Sequence, residues 1–244
     1  MIPHDVNLSR IRDDNLRIRL ERAWSWIDLA QSHKNSAHAR FIFYWIAFNA
    51  IYGLEPLNQE DPPPDQMKQI RKLLEKLKGV ITICGEKERG LLYQHIHKMR
   101  GSLEDLIKDS FLIKEYWVGQ ESPRSVTSQC ASDWGKTHEQ MRTNCLDFDK
   151  VFHIPCGRLL VLRNQIVHGS ARGDDKSRGH PSLERGLAVI EKMVPAFFDL
   201  LTRFEDPSEK WPKAPYPRWG HPEHPHEYTE GEPHELLGNR PKSN

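Results

Sequence analysis

The stretch FIFYWIAFNAIYG, residues 41–53, narrows the choice of fold more than any other part of the chain. It is apolar almost all round a helix, so no single face of it can be left to water. A helix over residues 41–53 rises only about 20 Å, too little to cross a hydrocarbon layer of about 30 Å. Asn49 within the stretch also argues against a span. The segment must therefore be sheathed by other parts of the protein, which calls for several neighbouring elements around it. Gly53 is the expected C-cap. Asn49 is expected to be a buried asparagine with a hydrogen-bond partner, serving the core or bracing a cleft. Trp45 and Phe48 read as core rather than as platforms for stacked bases.

The neighbours read as helices too. From Ile11 to about His33 the residues Leu16, Leu20, Ala23, Trp24, Ile27 and Ala30 recur at three- and four-residue steps. EPLNQEDPPPD is a loop, because its prolines cannot continue a helix, and Asp65 is placed to cap the next one, marked by Met67, Ile70, Leu73, Leu74 and Leu77. Helical patterning runs from about Lys87 to Leu112, weakened by Gly90 and Gly101. GQESPRSVTSQCASDWG, 119–135, reads as a surface loop. Further helices are expected over Lys136 to His153, Pro155 to His168 and Leu183 to Phe204, the last kinked by Pro195. No alternating strand with turn residues at both ends occurs. The expectation is an all-α antiparallel helical bundle over residues 1–205.

Beyond it the composition changes. Eight of the 17 prolines follow Asp206, with Trp211, Trp219 and the histidines 221, 224, 226 and 234. Residues 206–244 cannot bury enough apolar surface to offset ordering entropy, so they read as a tail, either laid over the bundle through Trp and Tyr or disordered. His221, His224 and His226 can bind a transition metal only weakly, since no carboxylate or cysteine completes a ligand set; neither a metal nor a cofactor is expected. Cysteines 84, 130, 145 and 156 have no paired spacing and read as reduced thiols. The first residues, MIPHDVNLSRIRDDN, lack the apolar core of a signal peptide, and the expected setting is cytoplasmic, away from membranes. A net charge of +1 provides no global attraction to nucleic acid.

Chemistry concentrates at VLRNQIVHGS, 161–170. CGRLLVL before it is apolar enough for a core helix, and charged groups are rarely placed in such a segment without a role. Asn164 and His168, four apart, share a helical face, while Arg163 lies about 140° from His168. The guanidinium stem is long enough to swing across. Gly169 should end the helix, leaving His168 beside its negative pole. Arg163 and His168 can serve as a phosphate clamp and a proton carrier, the minimum for metal-free phosphodiester chemistry. They can equally be two solvated side chains at a helix end.

RNQIVHG resembles the R-N-x-x-x-H signature of HEPN domains, a helical family named for nucleotide binding in higher eukaryotes and prokaryotes. Together with RFIFYWIAFNAIYG upstream and MVPAFFDLL downstream, it is similar to the Apea-like branch, over most of residues 10–204. The resemblance implies a homodimer about a two-fold axis with the Arg/His motifs of both copies lining one cleft. It also implies a metal-independent endoribonuclease, of the kind found in toxin–antitoxin and phage-defence systems. On that carry-over His168 is the general acid/base, Arg163 stabilises the transition-state charge, and Asn164 orients the histidine or binds a phosphate oxygen. The implied partners are RNA or a nucleotide and an inhibitory protein that blocks the cleft. Other members of the family are non-catalytic nucleotide-binding or dimerisation modules, and both alternatives stay open here.

Other charged groups are candidate RNA contacts. Arg10, Arg12, Arg17, Arg19 and Arg22 form two stripes on the first helix, and Lys68, Arg71, Lys72, Lys76 and Lys78 lie on another. Asp13, Asp14 and Glu21 interleave with the first set, which favours a solvated, internally paired helix surface. ARGDDKSRGH, directly after the motif, is either a gate for substrate or a plain loop.

Overall fold

The computed structural model describes residues 8–53, 65–114, 122–169, 180–204 and 210–214. Among them the chain is all helical: α1 (Asp14–Ser32), α2 (Ala37–Tyr52), α3 (Gln66–Ile83), α4 (Glu86–Lys98), α5 (Arg100–Ile107), a 3-10 turn (Ser110–Leu112), α6 (Pro123–Asn144), α7 (Phe148–Val167) and α8 (His180–Arg203). No helix of the described residues is long and apolar enough to cross a membrane.

Side-chain caps set several starts. Asp13 accepts from the Leu16 amide (2.8 Å), Asp65 from Lys68 (3.0 Å) and Ser122 from Ser125 (3.2 Å), each satisfying a donor that a helix start leaves orphaned. α2 is the centre of the bundle, packed on α1 and α8, while α3 lies mainly on α7. Its Phe48 meets Phe197 of α8, which in turn contacts Phe148 and Phe152 of α7, so one aromatic cluster ties three helices together. At Gly186 α8 comes so close to α7 that a Cβ would stand 2.2 Å from Leu162 Cδ2.

Several expectations need correction. Asn49 is exposed, not buried, because α2 turns Phe41, Tyr44, Trp45, Ala47, Phe48, Ile51 and Tyr52 inward and leaves position 49 outside. Gly53 does cap α2, its amide on the Asn49 carbonyl at 2.7 Å, but at φ −56° rather than in the left-handed conformation. The expected loop over 119–135 is helical from Pro123 onward. Val126, Cys130, Trp134, Thr137 and Met141 form a buried stripe at helical spacing that the many Ser and Thr residues obscured. The break expected between His153 and Pro155 lies instead at 145–147, and Pro155 is inside α7. Phe148, Val151, Phe152, Cys156 and Leu159 continue one buried face through it, and that burial outweighs the single hydrogen bond a proline removes. The patterning over Lys87 to Leu112 is divided at Met99 into α4 and α5.

The first-helix arginines are not one surface. Arg17 pairs with Asp14 (2.6 Å) and Glu21 (3.3 Å), as the interleaved charges predict. Arg10 Nε donates to the Thr202 carbonyl at 3.1 Å. Arg19 is buried, and its guanidinium donates to the carbonyls of Ile51 (3.1 Å), Gly53 (2.6 Å), Pro212 (3.2 Å) and Lys213 (2.9 Å). Sequence reasoning missed this clasp between the end of α2 and residues 210–214. Trp211 is buried there, its amide on Asp13 Oδ2 (3.1 Å) and its ring under Lys76 Nζ at 5.3 Å. The boundary expected at 205/206, Trp219, the tail histidines and residues 171–179 of the ARGDDKSRGH segment lie outside the described residues. All four cysteines are free and buried.

Candidate active site on the last turn of α7

α7 buries Leu159 and Leu162, and Ile166 packs half-buried against the same core. That orientation leaves Asn164 half-buried and His168 exposed on the opposite side. The helix stops after Val167. His168 is the C-cap, its amide on the Asn164 carbonyl at 3.0 Å, and Gly169 follows at φ 71°, the left-handed conformation that glycine adopts without a Cβ clash.

Arg163 swings across as its stem allows: Nη1 donates to Asn164 Oδ1 at 2.8 Å. Arg163 and Asn164 are thus brought together. Within one chain no hydrogen bond joins either side chain to the His168 ring. Among the described residues that ring has no hydrogen-bond or ion-pair partner, and the half-buried guanidinium has no carboxylate partner. Both groups retain hydrogen-bonding capacity that the fold does not use.

The nearby arginines differ in this respect. Arg158, on the same helix, is buried, and its two terminal nitrogens are held by the Leu112 carbonyl (3.2 Å) and Asp133 (2.8 Å). Arg185 of α8 and Ser182 share the buried Asp109 at 2.8 and 2.7 Å, and Asp109 also accepts from the Phe111 amide at 3.0 Å. Gln165 holds the Phe111 carbonyl at 2.8 Å. These contacts lock the 3-10 turn against α7 and α8, so the last turn of α7 stands on a braced support.

One stranded polar group in the core was not anticipated. Tyr52, on the last turn of α2, is buried with a hydroxyl that has no hydrogen-bond partner among the described residues. Burial pushes its acidity far down (its pKa up), with the positive charge of Arg163 opposing. The only sequence signal was a tyrosine where the surrounding pattern is apolar. Among the described residues no group of three or more His, Cys, Asp or Glu side chains could hold a metal ion. No family model matches the chain, and no curated protein and no solved structure matches it. Assignment of function therefore rests on the chain's own residues.

Proposed function

We propose that the protein is a metal-independent endoribonuclease of the HEPN type, acting as a two-fold dimer in which the last turns of two α7 helices face one cleft. The observation that carries this reading is the pairing of two unused groups at one helix end. Among the described residues a half-buried guanidinium lacks a carboxylate partner, and an exposed imidazole lacks any partner. A phosphodiester would supply the missing acceptor to Arg163. The 2′-hydroxyl of the RNA attacks phosphorus and gives its proton to one His168. The bond to the 5′-oxygen breaks, and a protonated His168 of the second copy supplies that oxygen's proton. The products are a 2′,3′-cyclic phosphate and a 5′-hydroxyl, with no water consumed. Arg163 stabilises the charge that builds on the phosphoryl oxygens, and Asn164 holds Arg163 in place.

A dimer removes the difficulty that Arg163 and His168 diverge by about 140° within one chain. The outer side of α7 fits such a contact: Gly157, Leu160 and Val161 are half-buried and Val167 is 53% exposed. The setting we propose is a toxin or phage-defence effector in the cytoplasm, held by an inhibitory protein partner.

A second reading, a non-catalytic nucleotide-binding module, is favoured by the small net charge of +1, by the pairing of Arg17 with Asp14 and Glu21 and by the burial of Arg19, which take two first-helix cations from any RNA-binding face. The experiment that separates them is incubation with total cellular RNA in EDTA, beside Arg163→Ala and His168→Ala. Cleavage by wild type alone, with cyclic-phosphate ends, supports the nuclease. Intact RNA with folded proteins, and thermal stabilisation by nucleotide, supports the module.

A further inference from the structure

Phe111 of the 3-10 turn presents an aromatic ring to solvent, 38% exposed, on a backbone that is held from both sides. Its amide donates to Asp109 Oδ1 (3.0 Å), and its carbonyl accepts from Gln165 Nε2 (2.8 Å). The next carbonyl, of Leu112, accepts from Arg158 at 3.2 Å. Arg158 and Gln165 are seven apart, so the turn is bonded at two points along one flank of α7. His168 follows Gln165 by three residues, about 60° round the axis and nearly one turn further on, whereas Arg163 lies about 160° from Gln165. The turn that carries the ring is therefore docked on the His168 flank of α7.

The carboxylate that holds the Phe111 amide also holds Arg185 of α8, whose Nη1 donates to Asp109 Oδ2 at 2.8 Å. Asp109 is buried and takes a third bond from Ser182 (2.7 Å), so it fixes the ring's backbone and the guanidinium together. The Arg185 side chain is 42% exposed, and among the described residues its second edge, Nε and Nη2, meets no acceptor. A flat apolar ring and a half-committed guanidinium, joined through one carboxylate, match the two parts of a nucleotide: base and phosphate.

We infer that Phe111 and Arg185 form a nucleotide subsite beside His168, in which the ring stacks on an unpaired base and the second edge of the guanidinium binds an adjacent phosphate. This rests on the reading of His168 as the proton carrier at the scissile phosphate. It names the substrate class, single-stranded RNA, because a base within a duplex keeps its faces covered. Ring and guanidinium are held before the RNA arrives, so little ordering entropy is lost on binding. Stacking acts at short range, and it gives affinity to a chain whose net charge of +1 supplies no long-range attraction.

The test uses a fluorescent 2′-O-methyl oligoribonucleotide, which lacks the attacking hydroxyl, as single strand and as duplex in EDTA. Anisotropy gives its affinity for wild type, Phe111→Leu, Phe111→Tyr and Arg185→Lys, and cleavage of the unmodified single strand gives kcat and KM. Phe111→Leu keeps an apolar side chain without a stacking face, and Phe111→Tyr restores that face. Arg185→Lys keeps the charge beside Asp109 but removes the planar fork. We expect wild type to prefer the single strand. Phe111→Leu should weaken binding about 10-fold and raise KM alike, with kcat unchanged. Phe111→Tyr should match wild type, and Arg185→Lys should lose affinity several-fold. Wild-type affinity in Phe111→Leu or in Arg185→Lys, or equal binding of the duplex, would overturn the subsite and leave the nuclease reading intact. So would a Phe111→Tyr as weak as Phe111→Leu, or a dimer that Phe111→Leu dissociates, because the ring would then be a packing or protein contact. If wild type binds the single strand through Phe111 but cleaves nothing, the nuclease fails and the subsite stands. Neither binding nor cleavage in wild type overturns both.

Discussion

Arg19, in the second turn of α1, leaves 1% of its surface to solvent and spends its terminal N–H groups on the carbonyls of Ile51, Gly53, Pro212 and Lys213. Arg163, at the end of α7, stays half-exposed, and among the described residues Asn164 alone is its hydrogen-bond partner. Both stand among apolar neighbours in the chain. The first has both terminal nitrogens taken up by the fold; the second has donors to spare, beside a histidine that has no partner among the described residues. Unused hydrogen-bonding capacity, rather than residue type, is what marks a site that is ready for a ligand.

The comparison makes predictions that can break it. The largest effect should fall on activity. Arg163→Ala and His168→Ala are expected to lower RNA cleavage by about 10³-fold, while Arg163→Ala changes unfolding free energy by under about 1 kcal/mol. A large destabilisation in a urea titration of Arg163→Ala would show that the fold depends on it after all. Next comes Arg19→Met, which keeps the volume but strands the carbonyls; it should cost about 3 kcal/mol by the same titration. A cost near zero would mean that the clasp is ornamental. Trp211→Ala should follow at about 2 kcal/mol, since one face of the clasp loses its buried anchor.

The smallest effect sharpens the contrast between fold charges and site charges. Burial tends to raise the Asp147 carboxyl, but Lys78 (3.3 Å) and Lys150 (3.4 Å) hold it below the usual carboxylate value. Its folded-state pKa is therefore lower than its unfolded one. The stability it contributes is present above about pH 4 and is lost as pH falls through the folded-state value. Asp147→Asn should flatten that part of the acid unfolding profile by fluorescence, whereas His168→Ala should leave it unchanged.

Much of the fold was legible in the chain. The spacing of apolar residues marked α1, α2, α3 and α8, and Asp65 was recognisable as a cap, because periodicity and capping are local properties. Where local signals conflicted with burial, burial decided. Pro155 looked like a boundary and is internal; the Ser-rich start of α6 looked like a loop and is helical. Of the candidate site, Arg163, Asn164 and His168 were visible as a pattern, but the bond from Arg163 to Asn164 was not, since the stem was expected to reach toward the ligand of His168. The stranded Tyr52 hydroxyl was not legible either, since its own segment is apolar throughout.

By itself, then, the sequence determined that the chain is helical, that residues 41–53 must be enclosed, and that a basic and a titratable group end one helix beside a glycine. Those facts depend on neighbours a few positions apart. Only the tertiary structure decided which arginines are consumed and which are spare, that Asn49 faces water, and that the Tyr52 hydroxyl is buried. The physical reason is that desolvation and hydrogen-bond satisfaction depend on what surrounds a group in space. Arg19 finds its carbonyls 31 or more residues away, a partnership that no local pattern encodes.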